Sequence, residues 1–462
     1  MKTIFILISR GSIVRNILRS DAFRILKEQP KLRIVILVLT RETQSVPEYF
    51  KKEFFHPRVI IEEFRGIPFK FPIGKIRRRF FTPLITNLVF THLKYLSRYG
   101  SPKNKKDPYL IYLLKTLFFG PLSRSVIVKR FFRFLENKLF LDREYEPYFD
   151  KYQPDLVFSP HVLGVAEQAM VKVANRRGVM TVSMPKGWDN VERMFYRVKS
   201  NKLIVYNKLL KQKAIKHQDF SVKDVFVSGF AQFDSYFKKE LILPREEYFE
   251  RLGLDSRRRL LFFGSAGLWS PNDEKMVEIL SQWVTKEKFV FSCNLLIRPH
   301  FTNIFEKKYE KFRGLPHIYI DNQYRKSEFF IDNWDLSKDD IVHLINTLYH
   351  SDLVITFAST LTLDAAILDK PIINPGFWGW IDRNGKDQTA IRYQVPYYQD
   401  IIKRNGVWLA KDIGDFREAI NSYLKNPNLH SQGRGLLRED MCDKQDGRAG
   451  ERIANYLLSL LK

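Results

Sequence analysis

The stretch ITFASTLTLDAAILDKPIINPG, Ile355 to Gly376, decides how this chain reads. It opens on an apolar run, passes through Ala358, Ser359 and Thr360, and continues with helical spacing to Lys370. A second apolar run, PIINPG, follows at once. Strands that are apolar throughout, rather than alternating, predict a parallel sheet covered on both faces. The helix between them starts on small hydroxyl residues. The free N–H groups at a helix start suit a phosphate, and the Ser359 and Thr360 hydroxyls can add donors. Asp364 lies on the same helix, near the expected cleft. The same hydroxyls also serve ordinary N-capping, and spacing alone does not choose.

The pattern repeats on both sides. Upstream, RLLFFGSAG is a strand and a small-residue turn that places Ser265 after the strand. It lacks the glycine spacing of a dinucleotide fingerprint and the GK[ST] of a P-loop. NLLIRPH ends a strand on Arg298 and His300, a cation and an imidazole aimed at a cleft. HIYIDN and, downstream, GVWLAK add strands. The first half reads alike, with strands KTIFILIS, Leu32 to Leu39, PDLVFSP, VMTVSM, LIVYN and DVFVSG. One helix is expected over Ser12 to Glu28, and another before Gly178. The loops after these strands carry the chemistry. SRGSIVRN offers Arg10, Gly11, Arg15 and Asn16 to an anionic acceptor. MPKGWDN offers Lys186, Trp188, Asp189 and Asn190, with Asp189 a candidate general base. SPHVLG offers His161, the other candidate base, because imidazole titrates near neutrality. The expected architecture is α/β with two Rossmann-like domains: 1–235, a linker 236–257, and 258–445. Their cleft is the expected ligand site.

Over 462 residues, 77 Lys and Arg against 51 Asp and Glu leave a charge of +26, which asks for an anionic partner. From Arg65 to Arg143 there are 18 basic residues and 3 acids, so more than half of the excess sits in this segment. Aromatics interleave with it, as in KIRRRFF and VKRFFRF. Apolar spacing predicts basic amphipathic helices over Leu84 to Leu96 and Tyr109 to Phe119, with a lysine-rich loop from Gly100 to Pro108. Arg77, Arg78, Arg79, Lys129, Arg130 and Arg133 are the expected docking cations for an anionic membrane surface. No nucleic-acid module accompanies the charge, so nucleic acid is not an expected partner. Cys293 and Cys442 are far apart, which argues against a disulfide framework or structural zinc and fits a reducing cytoplasm. The run Ile4 to Ile8 is too short for a signal peptide. No stretch reaches the roughly 20 apolar residues of a membrane span. Metal-ligand and covalent-serine motifs are missing, so no metal or cofactor is expected.

SRGSIVRNILRSDAF, GWDN, VFVSGFAQFDSYF, LLIRPHF and STLTLDAAILDKPIINPG, in this order, resemble the GT-B glycosyltransferases. The nearest subset is the bacterial surface-polysaccharide enzymes of the CDP-glycerol glycerophosphotransferase and UDP-GlcNAc 2-epimerase type. The resemblance covers most of the chain except Arg65 to Arg143. It implies donor contacts from Gly229, Arg298, His300, Ser359, Thr360 and Asp364, and an acceptor side near Gly11, His161 and Asp189. It also implies that the last helix, 446–462, crosses back onto the first domain. VSGFAQFD lacks the Pro and Arg of the glycerophosphotransferase pattern G-x-P-R-x-D, and IRPHF stands where the epimerases have His-x-Asn-Pro. The expectation is a metal-independent transferase using a nucleotide-activated sugar. Its acceptor would be a cell-surface glycan or lipid-linked molecule at the inner membrane face. A CDP-activated polyol-phosphate transferase and a nucleotide-sugar 2-epimerase are the alternatives.

Overall fold

The computed structural model describes residues 1–41, 44–66, 72–89, 108–300, 307–322, 325, 327, 329–382 and 385–461. The lysine-rich loop read over Gly100 to Pro108 falls outside them except for Pro108, as does the helix read over Leu84 to Leu96 beyond Val89. The first sheet holds β1 (Lys2–Ile8), β2 (Leu32–Thr40), β3 (Val59–Arg65), β4 (Leu156–Ser159), β5 (Met180–Ser183), β6 (Lys202–Val205) and β7 (Val225–Val227). Its order is β3-β2-β1-β4-β5-β6-β7. The second holds β8 (Arg259–Gly264), β9 (Cys293–Arg298), β10 (Ile318–Ile320), β11 (Leu353–Thr356), β12 (Ile372–Pro375) and β13 (Trp408–Ala410), in the order β10-β9-β8-β11-β12-β13. Every pairing is parallel. These are two doubly wound α/β domains, the GT-B architecture.

The apolar runs explain the layers. Along β1, Ile4, Ile6 and Ile8 enter one core, while Phe5 and Leu7 pack with Phe149, Tyr152 and Val157 on the other face. Along β8, Leu260 and Phe262 face one way and Leu261 and Phe263 the other. Alternation places successive side chains on opposite faces, so a strand buried on both sides must be apolar at every position. Ile4, Phe262 and Val354 share one buried cluster, which joins the two domains.

Two differences from the sequence reading shape the site. The helix expected over Ser12 to Glu28 is broken at Arg19 and Ser20. Ser20 accepts from the Ala22 N–H and caps a new helix, Asp21–Glu28. Arg19 is drawn out to Glu53 and Asp335, at 2.7 and 2.5 Å. β3 was not among the expected strands. It lies on the sheet edge with Glu62 and Glu63 half-buried, so its pattern is only partly apolar.

The helix Ala449–Ser459 packs on Asp21–Glu28 of the first domain. A side chain at Gly450 would lie 2.8 Å from the Ala22 backbone nitrogen, so only glycine permits this approach. Asp234 accepts from the Ala449 and Gly450 N–H groups at 3.0 and 2.7 Å. Tyr456 stacks on Phe226 at 4.2 Å.

In the basic segment the described helices are a short run of turns over Pro72–Ile76, Arg77–Phe81 and Thr82–Thr86, then Pro108–Arg124 and Val126–Leu139. The structure corrects half of the docking cations read there. Arg77 is buried with Glu136 at 2.5 Å and Asp142 at 2.6 Å, and Lys172 joins both carboxylates. Burial pushes the Asp142 carboxyl up, but Arg77 and Lys172 outweigh it and hold it below the usual carboxylate range. Arg133 donates to the Tyr196 and Gln218 carbonyls and lies on the Phe195 ring at 4.1 Å. Lys129 donates to the His217 carbonyl at 3.3 Å. Arg133 and Lys129 bind the insertion to its own domain, and Arg77 closes the insertion on two of its own carboxylates, which Lys172 ties to the domain. Arg78, Arg79 and Arg130 remain exposed, beside the exposed apolar residues Phe80, Ile127, Phe131 and Phe134. Among the described residues, no helix is long and apolar enough to cross a membrane.

Candidate active-site cleft

Both sheets turn their strand C-termini toward one cleft of about 450 Å³. The loops after β1, β5, β7, β8, β9 and β11 line it, and the strand order reverses beside β1 in the first sheet and between β8 and β11 in the second. Doubly wound sheets bind ligands there, because adjacent loops diverge and leave a crevice.

On the second-domain wall stand Arg298, Pro299 and His300, then Ser359, Thr360 and Asp364. Arg298 pairs with Asp321 at 3.1 Å, and His343 reaches the same carboxylate at 3.3 Å. Burial raises the Asp321 carboxyl, but the Arg298 charge and His343 overcome this and keep it ionised. Arg298 is therefore oriented by a charged anchor behind it. Burial, then the Lys186 charge, pulls the His300 imidazole down to about 4. It is neutral at physiological pH and able to share a hydrogen bond with an oxyanion. Ser359 accepts from the Leu361 N–H at 3.3 Å. Thr360 is exposed at the cleft.

The first-domain wall carries Arg15, Asn16, Lys186, Trp188, Asp189 and Asn190. Arg15 donates to Asn16 Oδ1 and to Gln232 Oε1, each at 2.8 Å, and lies over the Trp334 ring. Burial pulls its guanidinium below its ordinary value, against the opposing charge of Asp364. Asp364 accepts from Tyr236 at 2.6 Å, and burial raises its carboxyl. This floor ties the helix Leu361–Ile367 to the 232–236 segment. Asp189 accepts from Asn190 at 2.8 Å and from Arg193 at 3.3 Å. Trp188 is buried edge-on against Tyr397, at 5.4 Å. Burial, then Arg10, depresses the Lys186 ammonium.

Several expected contacts are placed elsewhere. His161 is not on the cleft wall. It is buried, its Nδ1 shared by Glu167 at 3.1 Å and Ser9 at 3.3 Å. Gly229, at φ +90°, faces Ala449 and Arg452 of the returning helix and not the cleft. Ser265 lines the cleft, but its hydroxyl donates to Asp273 at 2.5 Å while also accepting from the Gly267 N–H. Gly11 is covered by the strap 329–335 from the second domain. Its N–H donates to Asp332 at 3.0 Å, and Ser12 Oγ donates to the same carboxylate. A side chain at Gly11 would overlap the Trp334 carbonyl. The protein thus supplies its own anion to the turn expected to receive an acceptor. Arg10 sits behind this turn and outside the lining.

The sequence reading missed Trp269, Asp332, Trp334, Arg392, Tyr397 and Tyr398, which all line the cleft. Tyr398 is fixed by Thr362 at 2.8 Å and Asn374 at 2.9 Å. The signal for this group is modest: aromatics clustered with acids or Arg in IDNWD and RYQVPYY, away from any strand.

No family model and no curated protein matches the sequence. Solved structures do match the fold. The putative UDP-N-acetylglucosamine 2-epimerase of Listeria monocytogenes is 11% identical, covers 100% of this chain and 96% of its own, and gives a TM-score of 0.55. The UDP-GlcNAc 2-epimerase of Neisseria meningitidis bound to UDP-GlcNAc is 9% identical over 99% of this chain and 100% of its own, with a TM-score of 0.53. The wall teichoic acid polymerase TagF, solved with CDPG, is 10% identical over 100% of this chain and 88% of its own, with a TM-score of 0.50. At these identities the likeness establishes the GT-B fold.

Proposed function

We propose that the protein is a transferase that takes a sugar from a nucleotide-activated donor and passes it to a glycan or lipid-linked acceptor at an anionic membrane face. The observation that carries this reading is the division of the cleft. One wall gathers Arg298, His300, Ser359 and Thr360, and the other carries a hydrogen-bonded carboxylate, Asp189, beside Arg15 and Lys186. The first wall receives the donor diphosphate. Arg298 neutralises charge as it develops on the leaving nucleotide, and neutral His300 donates or accepts without adding a second charge. The second wall receives the acceptor hydroxyl. Asp189, held by Asn190 and Arg193, removes its proton. Asp364 and Tyr236 fix the floor between the two walls. Closure of the walls excludes water and suppresses hydrolysis. The exposed cations Arg78, Arg79 and Arg130, with Ile127 and Phe131, supply the membrane contact.

The test is a thermal-shift panel of UDP, CDP, GDP and CMP, followed by mass spectrometry of products. A bound nucleotide raises the melting temperature by mass action. A product that gains a sugar supports the proposal. A gained phosphodiester indicates polyol-phosphate transfer, and turnover of UDP-GlcNAc alone indicates epimerisation. Asp189→Asn should slow transfer at least about 100-fold with donor affinity unchanged; full activity removes Asp189 from the role.

A further inference from the structure

Arg392 is a cation set into the cleft wall without a carboxylate partner among the described residues. Its guanidinium lies 4.2 Å from the Trp380 ring centre and 4.6 Å from that of Trp269. Its Nε and Nη1 atoms are buried and have no hydrogen-bond partner. Burial pulls its guanidinium down to about 10, and no carboxylate opposes this. Two buried arginines of the protein differ in having carboxylate partners. Arg434 has Asp369 and the carbonyls of Leu429 and Pro427, and Arg77 has Glu136 and Asp142. An unsatisfied buried guanidinium is costly, and two indole faces compensate only part of it. An anion at the cleft face of this guanidinium would offset its burial through charge, whether or not it bonds the two buried nitrogens.

The position says which anion. Trp269 carries a second guanidinium, Arg193, at 5.6 Å, and Arg193 is the residue that holds Asp189 at 3.3 Å. Tyr397 feels the charges of Asp189, Arg193 and Arg392 together. Arg392 therefore belongs to the side of the proposed base. The donor groups Arg298 and His300 come from a different loop, after β9. We infer that Arg392, Trp269 and Arg193 form a second oxyanion subsite that holds a phosphate or carboxylate carried by the acceptor beside its reacting hydroxyl. Planar guanidinium groups backed by indoles suit such oxyanions, since the ring faces hold the forks in place before the ligand comes. The inference rests on the transferase reading for the word acceptor, but the subsite itself can be tested alone.

The experiment is calorimetric titration of the full-length chain with glycerol 3-phosphate, glycerate and glycerol, with and without saturating UDP. Glycerol 3-phosphate or glycerate should bind and glycerol should not, and comparing the two anions says which is preferred. Arg392→Met, which keeps an apolar stem between the indoles, should weaken anion binding at least about tenfold and leave UDP affinity within about twofold. Equal anion binding by the variant overturns the proposal. A parallel loss of UDP also overturns it, because Arg392 would then serve the donor. If UDP does not bind but the anion does, in an Arg392-dependent way, the subsite stands and the donor reading falls. A conservative variant guards against a misfolded one. Arg392→Lys should keep UDP affinity and retain more anion binding than Arg392→Met. Equal loss of anion binding in the two variants, with UDP affinity kept, contradicts a charge-based subsite.

Discussion

The cations of the helical insertion and those of the cleft come from the same strongly basic chain, yet they live under opposite conditions. Arg77 and Lys172 are buried against two carboxylates, and Arg133 against two carbonyls. Arg392 is held by ring faces and two of its nitrogens have no partner. The first set has carboxylate or carbonyl partners supplied by the fold, and its role is to hold the insertion in place. Arg392 instead stands at the cleft wall with no carboxylate partner among the described residues. Net charge reports neither condition; the partners do.

Stability measurements can break this contrast. Arg77→Leu should cost about 3–5 kcal/mol, because it leaves Glu136 and Asp142 buried with one cation fewer. Arg392→Met should cost less than about 1 kcal/mol, since it removes an unsatisfied group and keeps the packing. Chemical denaturation of both variants checks this, and comparable losses would show that Arg392 is structural after all. A smaller effect concerns His300. Its folded value near 4 lies below the ordinary 6.5, so the unfolded chain binds the proton first. The stability it contributes is complete above pH 6.5 and is lost as the pH falls toward 4. His300→Ala should flatten that part of the stability profile and weaken nucleotide binding at pH 7. An unchanged profile would place the ring in water. The smallest effects belong to the exposed cations. Replacing Arg78, Arg79 or Arg130 by Gln should lower partition onto anionic vesicles by about fivefold each at low salt. Arg133→Gln should alter folding before it alters vesicle binding.

Much of the fold was legible because parallel strands buried on both faces must be apolar throughout, as in ILIS, LVFS and LVIT. The edge strand β3 escaped because its half-exposed face tolerates Glu62 and Glu63. The loops after β5, β9 and β11 were legible as cleft residues for a related reason, since a strand end fixes where its next residues point. Asp332, Trp334 and Arg392 follow no such strand, and only the folded chain brings them to the cleft. The burial of Arg77 was equally hidden. Its partners Glu136 and Asp142, and the Lys172 that shares them, lie tens of residues away, on segments that carry no pattern linking them.

The return of the helix Ala449–Ser459 has a mechanical consequence. The chain passes between the domains twice, outward after the 231–237 segment and back before Ala449, and Asp234 on the outward pass grips the first N–H groups after the return. Two crossings fastened to each other act as a hinge pin: sliding and twisting are blocked, and rotation about one axis is what remains. Far along the chain from that pin, Asp332 on Ser12 and Asp335 on Arg19 behave as a latch. Opening the cleft wider would release these two carboxylates together with the Tyr236–Asp364 and Lys213–Asp400 contacts, with the pin left undisturbed.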